Sequence, residues 1–453
     1  MGRLTQQLGA FAAGSGRLDL PEAVRHTVRN GFVDTVATML AGRNEPVTRI
    51  VRRFAEAQGL AVQEASVLVA NQRTSSRNAA LVNATAGHAL DYDDVALQGH
   101  PSVVLVPALL AEGERLGASG LDLVRAYVVG YEVWAELIAR DADLHHLKGW
   151  HPTGVFGTLA VAAAVAALRS LDANQCAHAI ALAASMAAGL TANFGSMAKP
   201  FHAGQAAAHG IDAVNLAAAG MTGAPDVLEH PTGFLVAVSP QGRVRLDGPA
   251  QPLGTTLRIA DLGLTVKKYP MCFATHRVID ALLDLSQAHA IAPADVAAVH
   301  ATVGVAQASM LRNHAPQRAL EAKFSLEFAA AAALLVRRVG LAQLTDEFVA
   351  SPEVQRLMQR VRIATTDTSL DYEPTLAASD RVVVELRDGR RFDSGEVSGT
   401  RGDARHPLAD GELQAKFRDC CEGVTHLDTA RLLDSLLRLP QLPDVRQLTW
   451  TRK

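Results

Sequence analysis

Apolar positions recur at helical spacing along most of the first 264 residues. Between Leu18 and Gly42, apolar side chains return every three or four positions, with Pro21 as a start signal and Gly42 as a stop signal. The same spacing runs through residues 1–75 and, in Ala-rich form, through much of residues 76–220. The pattern therefore predicts a large all-helical domain that includes residues 1–75.

The pattern changes near residue 262, where β-branched residues begin to alternate with polar ones. Strand-like stretches begin at Val296 and at Arg381, and Asp388-Gly389 has the composition of a hairpin turn. Helical spacing returns in the tail after residue 405. We therefore expect a mainly α protein, with an all-helical domain of residues 1–264 and 399–453 and a smaller α+β domain inserted at 265–398.

Composition narrows the possible functions. A chain of 453 residues is too long for one ordinary domain, and a net charge of −3 offers no attraction to nucleic acid or to an anionic membrane. The four cysteines form no CxxC pair, and neither a leader peptide nor a bilayer-length apolar run free of charges is evident. We expect a cytoplasmic protein without nucleic-acid or membrane partners.

Polar residues concentrate between two apolar stretches of the chain. His88, Asp91, Asp93, Asp94 and His100 lie together there, directly before Pro101. Proline is favoured at the first helical position, so His100 is expected at a helix N-terminus, whose partial positive charge disfavours a protonated imidazole. This acidic, histidine-bearing loop has the composition of a functional site rather than of a linker.

Other candidate residues lie further along the chain. His151-Pro152 repeats the arrangement at His100, while Lys199 and Lys267 fall one on each predicted domain. A small di- or tricarboxylate needs such cations when water leaves, and histidines near neutral pKa can exchange protons. These residues suit proton abstraction beside a carboxylate, followed by loss of a leaving group. Lys199 precedes Pro200, which predicts an extended backbone at that lysine.

Six segments in series carry a family resemblance. They are HALDYDDV with GHPS, GWHPTGVFGTLA, KPFHAGQAAAHG, VKKYPMCFATHRVIDA, EAKFSLEF and RHPLADGEL. Together they resemble the MmgE/PrpD family, which includes 2-methylcitrate dehydratase, cis-aconitate decarboxylase and iminodisuccinate epimerase. The resemblance implies a helical domain with an α+β lid domain, a homodimer, and catalysis without metal or organic cofactor. It places catalytic roles on Asp91, His100, His151, Lys199 and Lys267. We expect Lys199, Lys267, Cys272 and His276 to contact the substrate.

The sequence also departs from parts of that family. Relatives often have Thr where this chain has Val95, and the animal decarboxylases have His in place of Cys272 and an aromatic hydroxyl near Phe328. These differences argue against a cis-aconitate decarboxylase. We expect a hydro-lyase of the dehydratase type acting on a small polycarboxylate, with a dicarboxylate epimerase as the first alternative and a decarboxylase as the next.

Two interpretations outside the lyases and epimerases stay open. His88, Asp91, Asp93, Asp94 and His100 have the chemistry of metal ligands, which suits a metallohydrolase, although their spacing matches no metal motif and leaves the lysines unexplained. A non-catalytic binding protein on the same fold is the other reading. On local pattern alone, His88 is expected to be a packed core residue, Asp93 and Asp94 to be turn caps, and the third His-Pro dipeptide, at His230, to be structural.

Overall fold

The computed structural model describes residues 3–59, 62–141, 143–370 and 375–448. The chain divides into two compact units, Met1–Leu264 with Ala409–Lys453, and Thr265–Leu408. The second boundary lies at 408/409 rather than at 398/399. Residues 399–408 belong to the smaller unit because Thr400 Oγ1 and the Arg401 N–H donate to Asp280 at 3.0 and 2.8 Å, and the Val266 N–H donates to Gly402 O at 2.8 Å.

The larger unit consists mainly of helices. Their bounds are α1 Leu4–Ala13, α2 Glu22–Ala41, α3 Pro46–Ala57, α4 Ser76–His88, α5 Pro101–Leu116, α6 Gly120–Ile138, α7 His145–Lys148, α8 Pro152–Leu168, α9 Ala173–Met186, α10 Ala198–Ala218, α11 Phe234–Val238, α12 Arg258–Leu262, α19 Asp410–Cys420 and α20 Thr429–Leu437. The predicted helix beginning after Pro21 is α2, and the tail helix is α19.

Helix α8 lies at the centre of this unit. Every residue from Pro152 to Ala167 is buried, and α6, α9 and α10 pack around it. Alanine and glycine allow helices to approach closely, as where α10 meets α4. A Cβ atom at Gly204 would lie only 2.6 Å from the Leu81 carbonyl oxygen, so no larger residue fits there without movement. This close packing fixes the helix ends that carry the polar residues.

A short hairpin corrects the expectation of an all-helical domain. Strands β1 (Ala65–Val67) and β2 (Gln72–Thr74) pair antiparallel, so helix is the wrong prediction for residues 65–74. Two side-chain contacts tie the hairpin to the helices. The Leu68 N–H donates to Asn83 Oδ1 at 2.9 Å, and Ser66 Oγ donates to Glu114 Oε2 at 2.9 Å.

The smaller unit is built on a four-stranded mixed sheet in the order β4-β3-β5-β6. The strands are β3 Val296–Gly304, β4 Val361–Thr366, β5 Asp380–Leu386 and β6 Arg391–Val397. The helices are α13 His276–His289, α14 Val305–Met310, α15 Ala319–Ala322, α16 Leu326–Val336, α17 Asp346–Val349 and α18 Pro352–Met358. Strand β3 runs parallel to β4 and antiparallel to β5.

The predicted Asp388-Gly389 turn joins β5 to β6. Gly389 has φ +88°, a left-handed conformation that glycine adopts without steric cost. The apolar sides of β3 and β5 pack with α13 and α16 in one buried cluster. The mainly α fold with a smaller α+β unit is confirmed, and none of the described helices is long and apolar enough to cross a membrane.

Candidate active site

The loop between α4 and α5 holds Asp91 in an uncommon backbone conformation. Asp91 has φ +53°, and its N–H donates to the His88 carbonyl oxygen at 3.2 Å, just beyond the end of α4. Aspartate is one of the few residues other than glycine that visit this region at modest cost. The side chain is 5% exposed, so its carboxylate is held among protein atoms rather than in bulk water.

Asp93 links the two histidines of the loop. His88 Nδ1 lies 3.0 Å from both Asp93 carboxylate oxygens, and His100 Nδ1 lies 3.1 Å from Asp93 Oδ2. Burial alone would raise the pKa of Asp93, but the adjacent His88 and His100 hold that pKa well below its ordinary value. Asp93 is therefore an ionised acceptor that orients two imidazoles.

The contacts of His100 define its tautomer. Its Nδ1 lies 2.8 Å from the Asp94 carbonyl oxygen, and because a carbonyl only accepts, that nitrogen carries a proton. In the neutral ring, Nε2 is then unprotonated, and it lies 3.9 Å from Asp91 Oδ1. In this tautomer, Nε2 is the ring nitrogen that can accept a proton.

Asp94 contacts the start of α5. Its carboxylate is bonded to Ser102 Oγ and accepts from the Ser102 N–H at 3.4 Å, while Ser102 Oγ lies 2.6 Å from the Tyr127 hydroxyl. Burial, reinforced by the nearby Asp34, raises the pKa of Asp94 well above its ordinary value. These contacts agree with a structural role for Asp94.

Lys199 lies in the first turn of α10, so the predicted extended backbone is wrong. Pro200 follows it without breaking the helix, because N–H groups of the first turn have no intrahelical partner to lose. The Lys199 ammonium contacts Asp91 Oδ1 and lies 5.0 Å from the centre of the Phe194 ring. A buried cation and a buried carboxylate thus compensate each other at this point.

His151 precedes α8 in a more deeply buried setting than His100. Its N–H donates to Gly189 O at 3.0 Å, its Nδ1 lies 3.1 Å from His202 Nδ1, and its ring stacks on His88 with centroids 5.6 Å apart. Gly189 has φ +139°, and a Cβ atom at this position would lie 3.4 Å from His151 Cβ and 3.3 Å from His202 Cγ. The Gly189 backbone therefore lies close to the side chains of His151 and His202. Burial, followed by the proximity of His88 and Lys199, holds the pKa of His151 well below its ordinary value.

His88 completes this histidine group. Burial lowers the pKa of His88 to about 4, even though Asp93 acts in the opposite direction. Its Nδ1 faces the ionised Asp93 and is the protonated nitrogen of the neutral ring, whereas Nε2 is buried without a hydrogen-bond partner among the residues described. His88 is therefore an uncharged imidazole within the polar group.

The structure brings four of the predicted residues together in the larger unit: Asp91, His100, His151 and Lys199. Lys267, Cys272 and His276 lie in the smaller unit, near one another in sequence, and all three are buried. The Cys272 N–H donates to Lys323 O at 2.9 Å. His276 Nε2 lies 3.3 Å from Met271 O, and its ring packs near Tyr269 and Phe273.

Local sequence patterns missed three members of the group. His88 is buried as predicted, but the pattern does not reveal its contact with Asp93. The pattern predicts only a turn cap at Asp93 and does not single out His202. One signal was available for His202, because it follows Lys199 by three residues and so shares its helix face.

The loop also meets a geometric criterion for metal ligation. His88, Asp91, Asp93 and His100 each offer a ligand atom, and these atoms all lie within 4.8 Å of one another. However, the Lys199 ammonium already contacts Asp91, and both imidazoles share Asp93. A divalent cation would have to displace or face that ammonium, so the donor set suits the internal ion pair better than a metal.

Comparison with known protein families identifies the family to which the chain belongs. The MmgE/PrpD N-terminal domain matches residues 6–247, and the MmgE/PrpD C-terminal domain matches residues 269–438. The chain therefore belongs to the MmgE/PrpD family, as the sequence segments indicated.

Similar curated proteins are cis-aconitate decarboxylases. The mouse enzyme is 30% identical, over 82% of this chain and 77% of its own length. The human enzyme is 27% identical over 95% of this chain and 90% of its own, and an Aspergillus terreus enzyme is 23% identical over 98% and 95%. These similarities support a lyase-type activity at the level of the family.

Proposed function

We propose that this protein is a cofactor-independent lyase that transfers a proton at a carbon next to a carboxylate of a small di- or tricarboxylate. The observation that supports this most directly is the Lys199–Asp91 ion pair beside the imidazoles of His100, His88 and His151. The pair supplies a buried cation for an anionic substrate, and the imidazoles supply proton acceptors. Family membership supports the same class of reaction.

Lys199 is the proposed anchor for a substrate carboxylate. An ammonium group has three N–H donors, so it can donate to Asp91 and to a substrate oxygen. A charge-assisted hydrogen bond in a site with little water is worth more than one in bulk solvent. The resemblance assigns Lys267 a second contact of the same kind, which would stabilise the enediolate that develops as the proton leaves.

His100 and His151 are the proposed proton carriers. Because burial and the proximity of His88 and Lys199 hold the pKa of His151 well below its ordinary value, the ring is neutral near pH 7 and can accept a proton. His100 presents Nε2 for the same purpose. One ring would take the proton next to the carboxylate. The other, which must begin the cycle with a proton on the nitrogen that faces the substrate, would donate that proton to the departing hydroxyl, and the hydroxyl would leave as water. Exchange of one proton with water by each ring would restore the starting state.

Dehydration is our first choice among the lyase reactions. Phe328 is fully buried in the apolar cluster of the smaller unit, and Cys272 occupies the position where the animal decarboxylases have histidine. Phenylalanine lacks the hydroxyl that the resemblance associates with decarboxylation. Decarboxylation of cis-aconitate is the second candidate, and the names of the curated relatives favour it.

A substrate panel separates these candidates. The purified protein would be incubated with citrate, 2-methylcitrate and cis-aconitate, and followed by ultraviolet absorbance of the conjugated double bond and by release of carbon dioxide. Dehydration predicts a gain of absorbance with the hydroxy acids and no carbon dioxide. Carbon dioxide release from cis-aconitate would select the second candidate, and inactivity toward an extended panel of polycarboxylates would contradict the lyase proposal.

A further inference from the structure

Lys416 is a buried lysine that the proposed chemistry does not use. It lies on α19, in the segment that follows the smaller unit in sequence, and it is 6% exposed. We propose that Lys416 is a positioning residue that holds the loop between α4 and α5, residues 89–100, in its active conformation. We call this segment the Asp91 loop. This inference rests on the function proposed for that loop.

Lys416 contacts the backbone of the loop directly. Its Nζ donates to the Tyr92 carbonyl oxygen at 2.8 Å and lies 3.8 Å from the centre of the Tyr92 ring. Tyr92 lies between Asp91, which contacts Lys199, and Asp93, which orients His88 and His100. A single ammonium group therefore fixes the peptide unit that joins the two functional carboxylates.

The position of the ammonium is itself fixed by a second contact. Lys416 Nζ lies 2.6 Å from Asp34 Oδ1 on α2, and the Asp34 side chain is fully buried. Separating such a pair leaves an uncompensated buried charge, which is strongly destabilising. Lys416 cannot move away from Asp34 at low cost, so its contact with Tyr92 is a constraint on the loop.

The helix that carries Lys416 is anchored independently of that pair. Leu413 and Phe417 on α19 are buried, and α19 packs against α2. At the more exposed end of the helix, Arg29 Nη2 donates to Asp410 Oδ1 at 3.0 Å. This ion pair ties the same two helices together but touches no part of the Asp91 loop in the contacts described, which makes it a matched control.

The loop conformation requires such support. Asp91, Leu97 and Gln98 all have positive φ, at +53°, +53° and +60°. Non-glycine residues persist in this region only where the surrounding structure holds them there. The Lys416 contact with Tyr92 provides this hold beside Asp91, the residue whose carboxylate contacts Lys199.

The test uses three variants of the full chain: Lys416→Met, Asp34→Asn with Lys416→Met, and Asp410→Asn. Lys416→Met is expected to lower kcat by roughly 10- to 100-fold with little change in KM, because the loop shifts while the anion-binding lysine stays. The double variant removes the uncompensated carboxylate, so we expect it to recover thermal stability relative to Lys416→Met but not kcat. Asp410→Asn should leave kcat unchanged.

Hydrogen–deuterium exchange gives a second readout that needs no substrate. In the double variant, amide exchange should rise over residues 89–100 and stay at the parental level in α8. If no lyase substrate is found, this measurement still decides the positioning role, so failure of the proposed function and failure of the inference are distinguishable. Recovery of parental kcat in the double variant, a kcat within twofold of the parent in a folded Lys416→Met protein, or unchanged exchange over residues 89–100 would overturn the inference.

Discussion

Three His-Pro dipeptides in this chain have different surroundings. His100 and His151 each precede a helix that starts with proline, whereas His230 precedes no helix and lies 2.9 Å, through Nδ1, from the Thr232 hydroxyl at the surface. His100 is oriented by Asp93 and by a backbone carbonyl. His151 is oriented by His202 and stacks on His88.

The comparison shows that a His-Pro dipeptide alone determines neither where the imidazole lies nor what chemistry it can perform. His100 and His151 each lie directly before a helix N-terminus, whereas His230 does not. The partners of His100 belong to its own loop, while those of His151 come from other helices. The Asp93 carboxylate orients the His100 ring, whereas burial and the nearby His88 and Lys199 hold the pKa of His151 well below its ordinary value. We therefore expect His100 and His151 to differ in chemistry and His230 to have no part in it.

The largest expected effect comes from removing either His100 or His151. His100→Ala and His151→Ala should each lower kcat by about 10²- to 10⁴-fold, the usual contribution of acid–base catalysis. Steady-state kinetics on the identified substrate, with circular dichroism to verify folding, measures this. His230→Ala serves as the control and should match the parent. Parental rates in folded His100→Ala and His151→Ala would place the chemistry elsewhere.

Lys199→Ala tests whether Lys199 anchors a substrate carboxylate next to His100 and His151. Loss of a charge-assisted hydrogen bond of about 1.5–3 kcal/mol should weaken substrate binding by roughly 10- to 100-fold and lower kcat as well. Titration calorimetry with the substrate, together with kinetics, separates the two effects. Lys148→Ala is a suitable control because Lys148 Nζ donates to Ser239 O at 2.6 Å, away from this site. Unchanged affinity in Lys199→Ala would refute the anchoring role.

The neutral state of His88 predicts a pH dependence of stability. The unfolded chain protonates this ring below its ordinary pKa of about 6.5, whereas burial lowers the native pKa to about 4. Between these two pKa values the unfolded state binds more protons than the native state, so the free energy of unfolding falls as the pH is lowered. His88 should contribute a loss on the order of 2 kcal/mol between pH 7 and pH 5.

Urea denaturation at several pH values measures this effect. His88→Gln should show a correspondingly shallower decline in the free energy of unfolding, because the amide does not titrate in this range. His230→Ala should keep the full decline. If His88→Gln has the parental slope, the native imidazole is not held neutral.

A smaller effect is expected at His202, which contacts His151 Nδ1. His202→Phe should lower kcat about tenfold without changing KM, since one orienting hydrogen bond is worth roughly 0.5–1.5 kcal/mol. His202→Gln retains a hydrogen-bonding group and should recover part of the loss. Equal kcat values for the two variants would show that packing, rather than the hydrogen bond, is what His202 provides.

The smallest effect is expected from metal removal. Exhaustive chelation should leave kcat unchanged, because Lys199 already supplies the cation beside Asp91. Activity lost on chelation and restored by one divalent metal would support the metallohydrolase alternative. The assay therefore compares the two ways in which the loop carboxylates could be neutralised.

Helices and the main sheet could be predicted because their hydrophobic periods repeat over many residues. The hairpin at residues 65–74 could not, because each strand has only three residues and gives no detectable alternation. The conformation of Lys199 was wrongly predicted because the rule for residues before proline ignores position within a helix. In the first turn of α10, Pro200 removes no hydrogen bond.

The site could be predicted in part. Asp91, His100, His151 and Lys199 were found because they fall in motifs next to helix ends. His88 is the last residue of the Ala-rich α4 and His202 lies within the Ala-rich α10, and a single histidine in such a sequence has the pattern of a core residue. The contact of His88 with Asp93 depends on the conformation of the loop after α4, and the contact of His202 with His151 becomes evident only when α8 and α10 are packed together.

The discontinuity of the larger unit has a consequence for synthesis on the ribosome. Helix α2 is made early, but α19, which packs on it, follows the whole of Thr265–Leu408. The smaller unit is continuous in sequence, so all of its contacts are available before α19 leaves the exit tunnel. Until then, the surface of α2 against which α19 packs stays open to water, and a chain arrested at this stage would expose it to chaperones and to aggregation.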